Sequence, residues 1–330
     1  MFTRTRFAAI GAIAAAGLLL ASCSEGSPSG GGSEGGSADD EGLTPITVGV
    51  LKIAPAAAVQ YGIDEGIFEE HGLDVTLAEA QGGAAMLPSV STGEYDFGVG
   101  NGLSVLTAAT QGIDMRMVSG YSYSLPEGED INAVVVRAGD GIESWSDLEG
   151  KTVATNTIKT QGDLTINEAI ERDGGDPSTV EYIEVPFPDA LPQLEGGNAD
   201  AVWIPEPFYS AAKADPDTYS ILGFPNQDTV PGLPTMVTFA SGATVDEDPE
   251  LVEQWRAAIT ETLDAAMADE EGNRETIVEF TGMPAETVDV IGLERLSGEL
   301  DEDIIVELSD MAVKWGFLES EPDLDTVIAP

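Results

Sequence analysis

The sequence predicts an α/β protein of two lobes, each built on a mostly parallel sheet, with two chain crossings that act as hinges. Three observations carry this. From residue 46 onward, short apolar runs rich in β-branched residues alternate with helix-length segments, a pattern that calls for parallel pairing and right-handed crossovers. The series ends near residue 121 and restarts near residue 131. Gly93-Glu94-Tyr95-Asp96-Phe97 and Gly197-Asn198-Ala199-Asp200-Ala201 sit at equivalent points of the two series, each with a helix-ending glycine and an aspartate before an apolar strand.

Taken in order, Ile46-Thr47-Val48-Gly49-Val50-Leu51 reads as a buried strand, residues 56–70 as a helix closed by His71-Gly72, and 73–77 as the next strand. Helices over 84–92 and 102–111 lead to strands over 95–99 and 115–121. The second series has strands at 131–137, 151–155, 180–185 and 201–204, a helical turn at 144–148, and helices at 161–172, 190–195 and 205–214. A strand at 235–240 returns to the first lobe. Beyond it lie four helices, at 249–269, 274–280, 285–291 and 302–315. The expected division is a leader over 1–22, a linker over 23–43, a first lobe of 44–134 with 235–330, and a second lobe of 135–234.

The start of the chain has its own logic. Arg4 and Arg6 precede an apolar run from Phe7 to Leu20, too short to span a bilayer comfortably, and then come small residues: the order of a secretory signal peptide. Leu20-Ala21-Ser22-Cys23 also resembles the lipobox of bacterial lipoproteins. That resemblance implies cleavage before Cys23 and diacylation of its sulfur; the alternative is an ordinary signal peptide with a chance cysteine. Residues 24–42 are Gly/Ser-rich with a few acids and read as a flexible leash.

Composition narrows the function classes. The 330 residues are 42% hydrophobic, enough for a real core, and Cys23 is the single cysteine, so no intramolecular disulfide is possible. The formal charge is −47, and loss of Arg4 and Arg6 with the leader would make it −49. Such a surface repels nucleic acid and anionic headgroups alike, so membrane attachment would need acyl chains, at about 0.8 kcal/mol per buried methylene.

Further in, the motifs resemble a known family. Gln60-Tyr61-Gly62-Ile63-Asp64-Glu65-Gly66-Ile67-Phe68-Glu69-Glu70-His71-Gly72-Leu73-Asp74-Val75 is similar to the opening of the ABC-transporter substrate-binding proteins for nitrate, sulfonates, taurine and the thiamine pyrimidine precursor. Asp147-Leu148-Glu149-Gly150-Lys151 resembles their second-lobe opening, and Gly197 to Phe208, with Trp203 and Glu206-Pro207, resembles their Gly-x-x-Asp-Ala strand and its ending. The resemblance implies the type II periplasmic-binding-protein fold. It further implies a lipid-anchored, monomeric receptor on the extracytoplasmic face of the membrane, delivering a small molecule to an ABC permease. The solute would be an aminosulfonate or sulfonate, or a planar nitrogen heterocycle such as a pyrimidine precursor; the alternatives are a receptor for nitrate or another inorganic anion and, behind that, an exported enzyme on the same fold.

Candidate ligand contacts come from the rule that open α/β sheets bind beyond the carboxyl ends of their strands. It selects Pro55 after the first strand, Gln81, Gly82 and Gly83 after the second, Asn101 after the third and Tyr121 at the end of the fourth. In the second lobe it selects Thr157, Thr160, Gln161, Trp203 and Glu206. The glycines either admit a ligand to free N–H groups or simply make tight turns. Trp203 either stacks on a ligand or packs in the second-lobe core. Glu206 either faces an amine or offsets a helix dipole in a first turn. Tyr61 and Tyr123 could add aromatic walls; Lys159 is the better anion candidate, Lys52 the poorer.

Little supports an enzyme. The one histidine, His71, sits at a helix end, and no Cys-x-x-Cys, His-Glu-x-x-His or phosphate-loop pattern is present. Chance pairs among 60 acidic residues are uninformative. No cofactor or metal is expected, and the reading is a non-enzymatic binder.

Overall fold

A computed structural model of the chain describes residues 42–330. The expected leader, Cys23 and nearly all of the linker lie outside the described residues. The first series runs β1 (Thr44–Leu51), α1 (Ala57–Asp64), α2 (Ile67–Glu70), β2 (Leu73–Ala80), α3 (Gly83–Ser91), β3 (Phe97–Gly100), α4 (Gly102–Thr110) and β4 (Met115–Tyr123). The second runs β5 (Asn132–Arg137), β6 (Thr152–Thr155), α5 (Gln161–Arg172), β7 (Glu181–Glu184), α6 (Phe187–Glu195), β8 (Ala201–Pro205), α7 (Phe208–Lys213), β9 (Tyr219–Gly223) and α8 (Pro225–Thr229). After β10 (Pro234–Ser241) come α9 (Gly242–Glu247), α10 (Pro249–Ala268), α11 (Glu270–Thr281), α12 (Ala285–Val288), β11 (Arg295–Leu296), α13 (Glu302–Lys314) and α14 (Leu324–Val327). Among the described residues no helix is long and apolar enough to cross a membrane.

Two sheets organise these elements, with strand orders β11-β4-β10-β3-β1-β2 and β7-β6-β8-β5-β9. They are mixed, which corrects the expectation of mostly parallel pairing. β1 pairs parallel with β2 and β3, and β6 with β7 and β8. β10 instead lies antiparallel between β3 and β4, and β5 antiparallel between β8 and β9. The cause is topological. β5 and β10 are the strands that arrive from the other sheet, so each enters at the edge where its neighbours end and runs against them.

Two further expectations are corrected. The single helix over 56–70 is two, because Gly66 sits in the left-handed region (φ 75°) and turns the chain between α1 and α2. The helix expected from Pro205 begins only at Phe208: Pro205 pairs with Asn132 as the last residue of β8, and Pro207 disfavours a helical residue 206. The edge strand β9 and the short α8 were not anticipated, since neither carries a clear period.

The first-lobe core is pinned by Trp255 of α10, fully buried and stacked between Phe68 at 5.5 Å and Phe97 at 4.7 Å. The two connecting segments, 124–131 and 224–233, are tied to each other. The Ser124 N–H donates to the Leu233 carbonyl (2.8 Å), and Gln227 Nε2 donates to the Leu125 carbonyl (2.8 Å). Buried Asp130 accepts from Ser124 Oγ (2.6 Å) and the Leu125 N–H (2.9 Å).

The lobes also meet far from that hinge. Glu168 of α5 accepts from Lys314 Nζ (2.7 Å) and Trp315 Nε1 (2.8 Å) at the end of α13, and from Arg172 Nε (3.0 Å). Burial favours the neutral acid, but these bonds outweigh it and hold the carboxyl below its ordinary 4.5. A depressed folded value means the clasp is intact above 4.5 and is lost as the pH falls through the depressed value. Lys314→Met should therefore enlarge the radius of gyration in small-angle scattering at neutral pH with an unchanged circular-dichroism spectrum. The difference from the unsubstituted chain should vanish once acidification passes below that depressed value; equal radii at neutral pH would show that the clasp does not hold the lobes.

Candidate functional site

The carboxyl ends of β1, β3, β6 and β8 converge where the two sheets face each other, as the rule for open sheets requires. Between them is a void of about 40 Å³, walled by both lobes. Six of the sequence-selected residues line it: Pro55, Gly83 and Asn101 from the first lobe, Thr160, Gln161 and Trp203 from the second.

Local chemistry fixes each of them. Asn101 caps α4, its Oδ1 accepting from the Ser104 N–H (2.9 Å) and Ser104 Oγ (3.0 Å), so its Nδ2 is left as a donor. Gly83 must lack a side chain nearby: a Cβ on Gly100 would meet the Gly83 Cα at 2.7 Å, so the starts of α3 and α4 approach backbone to backbone. Thr160 caps α5 in a box with Asp163, whose carboxylate accepts from the Lys159 N–H (2.6 Å) and the Thr160 N–H (2.8 Å). Those bonds hold Lys159 in the left-handed region at φ 56°. Burial pushes Asp163 up to about 6 against the pull of the same N–H donors.

Gln161 is 2% exposed and its Oε1 has no partner; Trp203 Nε1 is also buried without one. Trp203 packs one ring face on Gly162, where a Cβ would come within 2.8 Å, and lies 5.9 Å from the Phe187 ring. It therefore serves the second-lobe core and the cleft together.

The other five residues are placed elsewhere. Gln81, Gly82 and Thr157 make the contact between the lobes: Asn156 Nδ2 donates to the Gln81 carbonyl (2.9 Å), and a Cβ on Gly82 would meet Thr157 Oγ1 at 2.8 Å. Tyr121 lies behind the wall, fully buried, its hydroxyl donating to the Pro55 carbonyl (2.8 Å); burial raises its pKa. Glu206 is 1% exposed beneath the cleft, beside a separate void of about 10 Å³. It accepts from Ser210 Oγ (2.7 Å), the Ser210 N–H (2.9 Å) and the Gly292 N–H (3.2 Å), and burial raises it nonetheless. Its backbone joins the lobes too, with N–H to the Ile131 carbonyl and carbonyl from the Ala54 N–H. Neither spare tyrosine forms a wall: Tyr61 bonds Asp269 and Tyr123 bonds the Glu299 carbonyl. Lys52 and Lys159 are exposed and outside this void.

Sequence reasoning missed Asn132, Thr235, Met236 and Glu294, all in the wall. The reason is the strand direction. β5, β10 and β11 run antiparallel, so their amino ends lie at the edge where the parallel strands finish. The returning strands were legible; the consequence for their first residues was the signal.

Glu294 is the one charged side chain in the wall. It is 6% exposed, accepting from Thr235 Oγ1 (2.9 Å) and Asn132 Nδ2 (3.2 Å). Burial chiefly, and the charge of Asp130, push it up to about 8, although the Ser122, Thr235 and Asn132 bonds pull the other way. Among the described residues no group of His, Cys, Asp and Glu is placed to hold a metal.

Comparison with known proteins adds four findings. The sequence profile of the family described as NMT1/THI5 like matches residues 56–272. A Brachyspira hyodysenteriae protein described as an ABC transporter periplasmic binding protein is 24% identical over 264 residues, 76% of this chain and 71% of that protein. The alkanesulfonate-binding protein SsuA from Xanthomonas axonopodis pv. citri, bound to MOPS, superposes with a TM-score of 0.74 at 17% identity, over 87% of this chain and 98% of that one. The nitrate-binding protein NrtA from Synechocystis PCC 6803 gives 0.69 at 13%, over 86% and 84%. The fold is that of periplasmic binding proteins.

Capping and ligand contact at Asn101 separate by substitution. Asn101→Ala should cost about 1 kcal/mol in urea unfolding through the lost α4 cap, whereas Asn101→Ser, which can still cap, should cost a few tenths. A full loss of stability in the serine variant would show that the amide does more than cap.

Proposed function

The chain belongs to the NMT1/THI5-like family, and from that premise we propose that it is the solute-binding component of an ABC importer, held at the extracytoplasmic face of the membrane by a lipid on Cys23. It acts as a monomer without cofactor or catalysis, capturing a small organic solute by lobe closure. The observation that carries this reading is a void walled by both lobes, two of whose lining residues, Gln161 and Trp203, each bury a polar atom, Oε1 and Nε1, without a partner. Buried polar atoms without partners are costly, and a solute that pairs with them is favoured accordingly.

Pro55, Gly83, Asn101, Thr160, Gln161 and Trp203 are the proposed contacts. Gln81, Gly82 and Thr157 close over the solute, while Tyr121 and Glu206 hold the walls. A void of about 40 Å³ accommodates a few water molecules, so an organic solute requires the lobes to part and re-close around it. The solute classes in view are a sulfonate or aminosulfonate and a planar nitrogen heterocycle. A bare anion such as nitrate draws support from the helix starts at Gly83, Gly102 and Gln161, whose N–H ends favour negative charge.

About 20 linker residues after Cys23 would give a reach of roughly 25 Å, enough to turn freely beside a permease. The experiment is mass spectrometry of the solute carried by natively extracted protein, followed by its titration. At a hundredfold excess over Kd it should stabilise the fold by about 2.7 kcal/mol, and small-angle scattering should show compaction. Stabilisation without compaction would remove lobe closure, and turnover of the solute would remove the receptor reading.

A further inference from the structure

We propose that Glu294 sets the solute class: its carboxylate seats a protonated amine or amidine-type nitrogen, while Gln161 Oε1 takes a second N–H and Trp203 Nε1 donates to an acceptor on the same molecule. This rests on the receptor reading above and chooses a solute that the two binding proteins of similar fold described above, named for alkanesulfonate and nitrate, do not suggest.

The geometry carries it. Among the described residues no lysine or arginine lines the void, and Glu294 is its only charged side chain. The neighbours of Glu294 are identifiable from every side. Asn132 on β5 and Thr235 on β10 donate to it, and Ser122 on β4 bonds Thr235 Oγ1 (2.6 Å). Asp130 in the first connecting segment repels it, the Tyr121 hydroxyl adjoins it, and Glu206 lies across the smaller void. Arg295, next in sequence, supplies no counter-charge within the cleft, because its guanidinium lies 4.4 Å over the Tyr123 ring. Apart from Arg295, every titratable group named near Glu294 among the described residues is thus an acid or a tyrosine. A carboxylate so placed lacks a cation, and a cationic solute brings one. The chain's overall charge of −47 concentrates cations at its surface and depletes sulfonates.

The two solute classes demand opposite proton states. A cation binds the carboxylate, so below about 8 the site must release a proton on binding. Affinity should then rise roughly tenfold per pH unit toward 8 and level off above it. An anion beside Glu294 needs the neutral acid, so its affinity would be level below 8 and fall above.

The test is calorimetric titration of the full-length chain at pH 6, 7, 8 and 9. Benzamidine and cytosine serve as flat N–H donors, and taurine, ethanesulfonate and nitrate as anions. Benzamidine, cationic throughout this range, should bind with the rising slope, and Glu294→Gln should weaken it at least tenfold at pH 9 and flatten the slope. A falling slope, an unaffected variant, or no benzamidine or cytosine binding at millimolar concentration overturns the inference. If a sulfonate or nitrate binds instead, the receptor reading survives it. If nothing binds and native extraction yields no solute, both fall. The slope on the unsubstituted chain decides the matter even if the variant fails to fold.

Discussion

The antiparallel entry of β5 and β10 is the constraint on which the rest of the structure depends. Each strand leaves one sheet's series and is inserted into the middle of the other, between β8 and β9 or between β3 and β4. A strand there cannot leave without breaking two ladders, so the lobes are bound together by their own centres. The insertion also brings segments 124–131 and 224–233 side by side, where the Ser124 N–H and Gln227 Nε2 bond across them. Most consequentially, it delivers the amino ends of β5 and β10 to the cleft, and with them Asn132 and Thr235, which donate to Glu294.

Around that frame the cleft is assembled from backbone starts and short amides. Gly83 and Gly100 let two helices begin within touching distance, and Asn101 and Thr160 cap the helices whose first turns face the void. Once capping has used Asn101 Oδ1, and Glu294 and the Gln81 carbonyl have used the Nδ2 groups of Asn132 and Asn156, the remainder is small: Asn101 Nδ2 and the buried, unpaired Gln161 Oε1 and Trp203 Nε1. On the proposed receptor reading specificity would reside in that remainder, because a polar group already paired within the protein discriminates weakly between solutes.

The alternation of strands and helices, the two lobes and six of the cleft residues were legible in the sequence because each depends on local signals: apolar runs, glycines at turns, hydroxyl and amide caps. Gly66 shows where local reading fails. Its left-handed conformation divides a segment whose apolar pattern is continuous. Glu206 fails for a different reason. Pro205 looks like a helix start until β5 pairs with it, and pairing partners 73 residues apart leave no local trace. Glu294 is the furthest from legibility. It precedes a two-residue strand in a stretch of ordinary composition, one acid among 60, and only the register of β11 on β4 gives it meaning.

A receptor that reports occupancy must favour closure only when loaded, so contacts between lobes need an opposing term. Asn156 to Gln81 and Glu168 to Lys314 both favour closure with or without solute. The second is half-exposed at Lys314 and is weakened by salt. Closing also removes water from Glu294, whose only offsets are hydroxyl and amide donors. If Glu294 seats a cation, its desolvation is the opposing term: it disfavours closing while the cleft lacks a counter-charge and stops doing so when one arrives. Apparent affinity scales with the closed fraction of the unliganded protein, so one buried carboxyl would set both which solute is taken and how far the lobes close without it.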